Sequence, residues 1–247
     1  MLVQILSPIQ TYLEKTRNIL IKTCATKAGD LNRLARLEFP TAEFTLRPAL
    51  VILSAGMFGP VTQQIIYLAA MFQFVYIASV LHKDISEDGV SGKGSKNPSH
   101  GSPFPILAGD YFYSKSFFLL YEAGLLKYLR ALSETISQLN EASILKLKSP
   151  DNLQVLENYV QKDTAGFFAL GCKISAEVTG AAEQEIKTLT RYGFNLGMAA
   201  GLRKENIYPE KAAARLHEAK KLLQTLPAGT ARDTLAKLVE YFRGCAD

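Results

Sequence analysis

A long uncharged segment constrains the fold of this chain more than any other feature. No formally charged residue lies between Arg47 and Lys83, and within that segment Ile65 to Leu81 is nearly long enough to cross a bilayer. The segment also contains the polar Gln73 and is interrupted upstream by Gly59-Pro60. A helix that is apolar on all sides is also what the centre of a large helical domain requires. The sequence therefore favours a buried core helix, and a membrane hairpin over Arg47 to Leu81 is the alternative.

The composition excludes several other classes of protein. A chain of 247 residues with 48% hydrophobic and 21% charged residues can form one substantial core, so it is not disordered, collagen-like or a disulfide mini-protein. The net charge of +5 is too small and too scattered to indicate nucleic-acid binding. Cys24, Cys172 and Cys245 show no CxxC spacing, which predicts neither a zinc site nor a disulfide framework. We expect one cytoplasmic domain over residues 1–247, with no signal peptide and no integral membrane span.

Hydrophobic periodicity predicts an all-α fold. Apolar residues recur at helical spacing at both ends of the chain, namely Ile5, Ile9, Tyr12, Leu13 and Leu20, and then Leu235, Leu238, Val239 and Phe242. Helix starts are predicted at Ser149-Pro150-Asp151 and at Thr230. We find no strand pattern. Glycine and proline are frequent from Gly89 to Pro105, which predicts a surface loop between two helical halves.

Six short segments follow one another in an order that is typical of one enzyme family. They are Leu46-Arg47-Pro48-Ala49-Leu50, Ala69 to Asp84, Leu107 to Phe112, Thr164 to Phe168, Gly180-Ala181 with Tyr192 to Ala199, and Leu226-Pro227 through Arg243. They resemble six segments of the trans-isoprenyl (polyprenyl) diphosphate synthases. In the same order, these are the GGKRLRP motif, the helix of the first aspartate-rich motif, the LAGD helix start, the KTA-x-LF segment, the YG-x-NLG-x-A stretch and the closing helix pair. The resemblance covers nearly the whole chain. It implies a single-domain antiparallel bundle of the isoprenoid synthase type around a central cavity.

Both metal-binding motifs of that family are degenerate in this chain. In the family, two DDxxD motifs on facing helices hold the Mg²⁺ ions that bind the leaving diphosphate. The first motif here begins with Lys83 and retains Asp84, Glu87 and the following Asp88, whereas the second falls on Lys204 and Glu205. An ammonium group in place of a carboxylate repels a divalent ion. We therefore expect no metal site and no cofactor, with Mg²⁺ required only if the chain is an enzyme.

The positions that bind the substrates' phosphates in the family are changed as well. The lysine of the KT pair falls on Asp163, with Lys162 one residue earlier, and the glutamine of the GE-x-x-Q helix falls on Lys146. Arg47, Lys93 and Lys162 are the candidate diphosphate-binding residues that the resemblance leaves.

Three local features of the same region have their own interpretations. Lys83 and Lys204 either grip a diphosphate as point charges or are solvated surface lysines. Asp110 is expected to cap the helix after Gly109. The aromatic stripe either lines a prenyl tunnel or belongs to the core or an interface. It consists of Phe72, Tyr76, Phe112, Phe117 and Phe118, together with the aliphatic Val80.

Few residues lie between the second motif and the closing helices. The predicted closing helices, Pro209 to Leu226 and Thr230 to Arg243, follow that motif almost directly. Catalytic members of the family have a long helical stretch there. The resemblance therefore implies a bundle that is truncated near its C-terminal third.

Two functional hypotheses follow from these observations. The first is a non-catalytic or regulatory subunit of a heteromeric polyprenyl diphosphate synthase that makes quinone or carotenoid side chains, paired with a catalytic homologue or with itself. The second is a divergent prenyltransferase that condenses isopentenyl diphosphate with an allylic diphosphate, using Asp84, Glu87, Asp88 and the lysines.

Overall fold

The computed structural model describes residues 1–26, 29–30, 41–83 and 104–244, and it is almost entirely helical. Its helices are α1 (Leu2–Ile5), α2 (Gln10–Cys24), α3 (Thr41–Gly56), α4 (Gln63–Lys83), α5 (Phe104–Glu122), α6 (Leu129–Lys148), α7 (Leu153–Val160), α8 (Gly166–Val178), α9 (Glu183–Lys204), α10 (Pro209–Leu223) and α11 (Thr230–Gly244). A π-helical turn, Gln161–Ala165, joins α7 to α8, and 3₁₀ turns cover Ser7–Ile9 and Leu126–Tyr128. The predicted all-α class is confirmed. Two strands that the sequence does not predict, β1 (Ala25–Thr26) and β2 (Gly29–Asp30), pair antiparallel over two residues each.

Helix α4 is the central helix of the core. It is long and apolar enough to span a membrane, yet 83% of its apolar stretch is buried inside the protein. Its Phe74 ring stacks on Phe112 of α5 with centroids 5.6 Å apart, and Phe72 lies 4.8 Å from Phe167 of α8. Burial of this kind is typical of a core helix. Most of the aromatic stripe therefore belongs to the core, whereas Phe118 is 53% exposed.

Three glycines on α9 allow close packing against the preceding helices. Gly193, Gly197 and Gly201 recur every four residues and lie on one side of the helix. A Cβ atom at Gly197 would lie 2.6 Å from Ala165 Cα, and one at Gly193 would lie 2.8 Å from the Phe168 carbonyl oxygen. Because these neighbours are backbone atoms, a side chain at either position would push two helices apart.

Several predicted helix boundaries differ from those observed. Ser149 ends α6 instead of starting the next helix, which begins at Leu153 with Asn152 as its N-cap. The Asn152 carboxamide oxygen accepts hydrogen bonds from two backbone amides of the first turn, at 3.0 and 3.2 Å. The Asn152 side chain accepts from backbone N–H groups that have no partner within the helix. The N-cap is therefore Asn152 and not a residue of the Ser-Pro-Asp sequence just before it.

The predictions near α5 and near the end of the chain have mixed outcomes. Helix α5 already begins at Phe104, so Asp110 lies in its second turn and does not cap it; the prediction of a cap is wrong. The predicted surface loop lies mostly outside the described residues. Only Glu205 to Tyr208 separate α9 from α10, and α11 begins at Thr230, as the sequence indicates.

Candidate functional site

The first degenerate motif begins with a partly buried ion pair. Lys83, the last residue of α4, donates through Nζ to Asp163 Oδ1 in the π-helical turn, and the same Nζ lies 3.3 Å from the Tyr159 hydroxyl. The Lys83 and Asp163 side chains are 29% and 16% exposed. Burial lowers the pKa of Lys83, and the charges of Lys204 and Arg47 lower it further, while Asp163 opposes the shift. Lys204 and Arg47 therefore share the electrostatic environment of Lys83.

The acidic residue of the second degenerate motif, Glu205, is paired with a lysine from another helix. Lys146 on α6 donates to both carboxylate oxygens of Glu205, at 2.6 and 2.7 Å. The two side chains are 30% and 16% exposed, so this pair is about as buried as the first. A divalent ion that approaches Glu205 would therefore lie close to the Lys146 ammonium and be repelled by it.

Tyr159 lies between the two ion pairs. Its ring centre is 4.2 Å from Lys146 Nζ and 5.2 Å from Lys83 Nζ, within the range of a cation–π interaction. Burial raises the pKa of the Tyr159 hydroxyl well above its usual value, and the nearby carboxylates Asp163 and Glu205 raise it further. Tyr159 is therefore a neutral phenol that offers its ring to both ammonium groups.

Arg47 is held against aromatic rings. Its guanidinium carbon lies 3.2 Å from the centre of the Tyr76 ring and 5.7 Å from that of Phe168. Planar guanidinium groups stack well on aromatic faces. This contact fixes Arg47 on the side of α4 that also carries Lys83 at its end.

The other candidate residues have different surroundings. Lys162 donates to Glu141 Oε2 on α6 at 2.9 Å, and the Glu141 side chain is 64% exposed. Asp84, Glu87, Asp88 and Lys93 lie outside the described residues. Within the part of the chain that the structure describes, no three His, Cys, Asp or Glu side chains cluster in a way that would hold a metal ion.

The LAGD segment serves packing against the end of α4. The His82 ring lies over Gly109, where a Cβ atom would come within 2.2 Å of His82 Nε2. That nitrogen is 3.3 Å from the Ile106 carbonyl oxygen and 3.3 Å from Asp110 Oδ1. Gly109 and Asp110 therefore accommodate and orient His82.

Sequence reasoning missed Tyr159 and the two pairings. The available signal was modest: Tyr159 and Asp163 are four residues apart, which places both on one side of a helix. The partner of each lysine is distant along the chain, 80 residues for Lys83 and 59 for Lys146. No local pattern reports such a pairing.

The comparisons with known proteins agree on the family. The polyprenyl synthetase family model matches residues 45–201, which is more than half of the chain. The chain belongs to the polyprenyl synthetase family. Octaprenyl diphosphate synthase of Escherichia coli is 29% identical over 160 residues, covering 62% of this chain and 50% of that protein. Component 2 of heptaprenyl diphosphate synthase of Bacillus subtilis is 30% identical over 161 residues, covering 62% and 46%. The chain spans about half the length of these curated relatives.

Solved structures show the same fold. A decaprenyl diphosphate synthase from Rhodobacter capsulatus superimposes with a TM-score of 0.84 at 16% identity, covering 100% of both chains. A deletion mutant of the heterotetrameric geranyl pyrophosphate synthase of mint gives a TM-score of 0.77 at 18% identity, covering 93% of this chain and 97% of that one. At such identities the likeness concerns the fold alone.

Proposed function

We propose that this protein is a non-catalytic subunit of a heteromeric polyprenyl diphosphate synthase, acting in the cytoplasm by binding and stabilising a catalytic homologue. The observation that carries the proposal is the Lys83–Asp163 ion pair at the leading position of the first metal motif. Two unit charges 4 Å apart interact by about 4 kcal/mol at an effective dielectric constant near 20. The Lys83 ammonium therefore opposes metal binding at this position, and its pairing with Asp163 offsets only part of the repulsion.

The second motif supports the same conclusion. Its acidic residue, Glu205, is engaged at both oxygens by Lys146 and is mostly buried. Metal binding at Glu205 would have to compete with Lys146 for the carboxylate and place a divalent ion close to its ammonium group. Separating a partly buried pair of this kind is costly, because each charge has lost part of its water.

An apolar face on α5 supports binding of a partner protein. Leu107, Phe118 and Tyr121 are 64%, 53% and 62% exposed, and their spacing places them on one face of the helix. The opposite face of α5 packs along α4, where Phe112 meets Phe74. Large exposed apolar side chains that share a helix face are typical of protein–protein interfaces. Among the relatives, one is named as a component of a synthase and another as a heterotetramer, so heteromeric assembly occurs in this family.

Co-expression with a catalytic homologue from the same organism tests the proposal. We expect the two chains to copurify, and we expect the purified chain alone to form no product from isopentenyl diphosphate and an allylic diphosphate in the presence of Mg²⁺. Condensation by the chain alone would replace the proposal with the divergent prenyltransferase. Absence of a complex with the homologue would refute the role as a subunit.

A further inference from the structure

We infer that Tyr159 couples the two lysine–carboxylate pairs into one structural unit, the brace, which consists of Lys83, Asp163, Tyr159, Lys146 and Glu205. The brace holds the ends of α4 and α9 against α6 and α7 through side chains of this chain. The inference rests on the proposed function, because it states what occupies the degenerate site of a subunit that does not bind metal there.

The brace joins elements that are distant along the chain. Lys83 links the last turn of α4 to Asp163 in the π-helical turn, and Lys146 links α6 to Glu205 just after α9. Each pair alone would connect only two elements. Tyr159 on α7 contacts both ammonium groups, through its hydroxyl and ring for Lys83 and through its ring for Lys146.

Partial burial makes the members depend on one another. All four charged side chains are 30% exposed or less, so each ammonium and carboxylate has lost much of its water. Removing one member of such a pair leaves its partner charge poorly solvated. The resulting loss of stability is larger than the free energy that the intact pair contributes to folding. A side chain that contacts both pairs transmits this cost from one pair to the other.

Both carboxylates of the brace are already neutralised by ammonium groups of the same chain. Added Mg²⁺ must compete with Lys83 and Lys146 for these carboxylates, and added diphosphate must compete with Asp163 for Lys83. A ligand stabilises a protein only if it binds the folded state better than the unfolded one. The brace therefore predicts that Mg²⁺ with inorganic diphosphate does not stabilise the isolated chain.

A double-mutant cycle on the full chain tests the coupling. Lys83→Met, Lys146→Met and the double variant are compared by urea unfolding, in the native, Tyr159→Phe and Tyr159→Leu backgrounds. We expect each single variant to lower the folding equilibrium constant roughly 5- to 30-fold. We expect the folding equilibrium constant of the double variant to differ at least about 3-fold from the value obtained by multiplying the two single effects. This difference should be reduced in Tyr159→Phe, which keeps the ring but loses the hydroxyl contact with Lys83, and lost in Tyr159→Leu.

Lys220→Met provides the matched control, because Lys220 pairs with Glu240 at the surface and is remote from the brace. The fold-change that Lys220→Met causes in the folding equilibrium constant should multiply with the fold-change caused by Lys83→Met, without any coupling between them. If a lysine variant fails to fold, the milder Asp163→Asn and Glu205→Gln pair gives the same cycle. Independent effects of the two pairs, or coupling that persists in Tyr159→Leu, would overturn the brace.

A ligand-binding experiment tests the brace independently of the proposed role as a subunit. Calorimetry and thermal unfolding of the chain alone, with Mg²⁺ and inorganic diphosphate, should show no heat of binding and no rise in melting temperature. If Mg²⁺ and diphosphate stabilise the native chain but not Lys83→Met, Lys83 binds the added ligand and the brace is refuted. Copurification with the catalytic homologue is measured separately, so a failed brace and a failed subunit assignment give different results.

Discussion

Gly197 illustrates how a single residue decides the packing of α9. A Cβ atom there would lie 2.6 Å from Ala165 Cα and 2.9 Å from the Thr164 carbonyl oxygen, so the backbone of the π-helical turn would have to move. Because that turn carries Asp163, a shift would also disturb the ion pair with Lys83.

We expect Gly197→Ala to reduce the free energy of unfolding by about 1–3 kcal/mol, the usual cost of overpacking. Gly171→Ala is the control, since its Cβ atom would make ordinary contacts of 3.5 Å with Phe72 and Val51. Alanine also favours a helix over glycine by about 1 kcal/mol. Urea unfolding of both variants checks the prediction, which equal losses at the two positions would contradict.

Tyr113 on α5 contributes to the response of the protein to alkaline pH. Burial raises the pKa of Tyr113 from its usual value of 10 to about 12, and the negative charges of Asp163 and Asp110 add to the shift. Below pH 10 the phenol is neutral in the folded and unfolded states, and its contribution to stability is complete. Between pH 10 and 12 the unfolded state releases the proton while the folded state keeps it, so this contribution is lost as the pH rises.

We expect Tyr113→Phe to remove this part of the pH dependence. Between pH 9 and pH 11 the native chain should lose about 1 kcal/mol more stability than the variant, since one pKa unit corresponds to about 1.4 kcal/mol. Tyr121→Phe, at an exposed position of the same helix, controls for the loss of a hydroxyl. Urea unfolding across this range gives the comparison, and parallel profiles for the native chain and Tyr113→Phe would refute the assignment.

At the level of helices, α5 has two faces with different roles. One face packs against α4 through Phe112, which is fully buried, and His82 of α4 lies over Gly109. The other face presents Leu107, Phe118 and Tyr121 to solvent. A helix whose apolar side chains extend beyond the core-facing stripe is expected to bury the remainder against another protein.

We expect Phe118→Glu to weaken the complex with the catalytic homologue at least tenfold without changing the stability of the isolated chain. A charge placed in the desolvated centre of an interface loses its water without gaining a partner. Ile21→Glu, a similarly exposed apolar position on α2, is the control. Titration of one labelled chain with the other measures the dissociation constants, and equal affinities for both variants would exclude α5 from the interface.

At the scale of the whole molecule, the family's scaffold is retained around a site held together by the chain's own charges. The described helices superimpose on a decaprenyl diphosphate synthase with a TM-score of 0.84, while Lys83 of the first degenerate motif pairs with Asp163 and Glu205 of the second pairs with Lys146. A scaffold of this kind can serve a partner through its shape.

Binding to a partner should therefore stabilise the chain. We expect the melting temperature of the chain to rise when the catalytic homologue is added, because a ligand at about 100 times its dissociation constant stabilises by about 2.7 kcal/mol. Scanning calorimetry over a range of partner concentrations measures the effect, with an unrelated protein as the control. A melting temperature that does not depend on partner concentration would contradict the proposed assembly.

The sequence by itself determined the fold class, the central helix and the family. Apolar periodicity is a local property, and so are the six ordered segments, since a helix is specified mainly by neighbouring residues. The same local information located Lys83 and Glu205 at the degenerate motifs.

Only the tertiary structure decided what those residues do. It brings Lys83 to Asp163 and Lys146 to Glu205 across 80 and 59 residues, and it places Tyr159 between the two pairs. It also shows that Gly197 is required by the backbone of the π-helical turn. These contacts depend on how helices cross in space, and a one-dimensional pattern of charge and hydrophobicity does not specify which of many opposite charges lies on the facing helix.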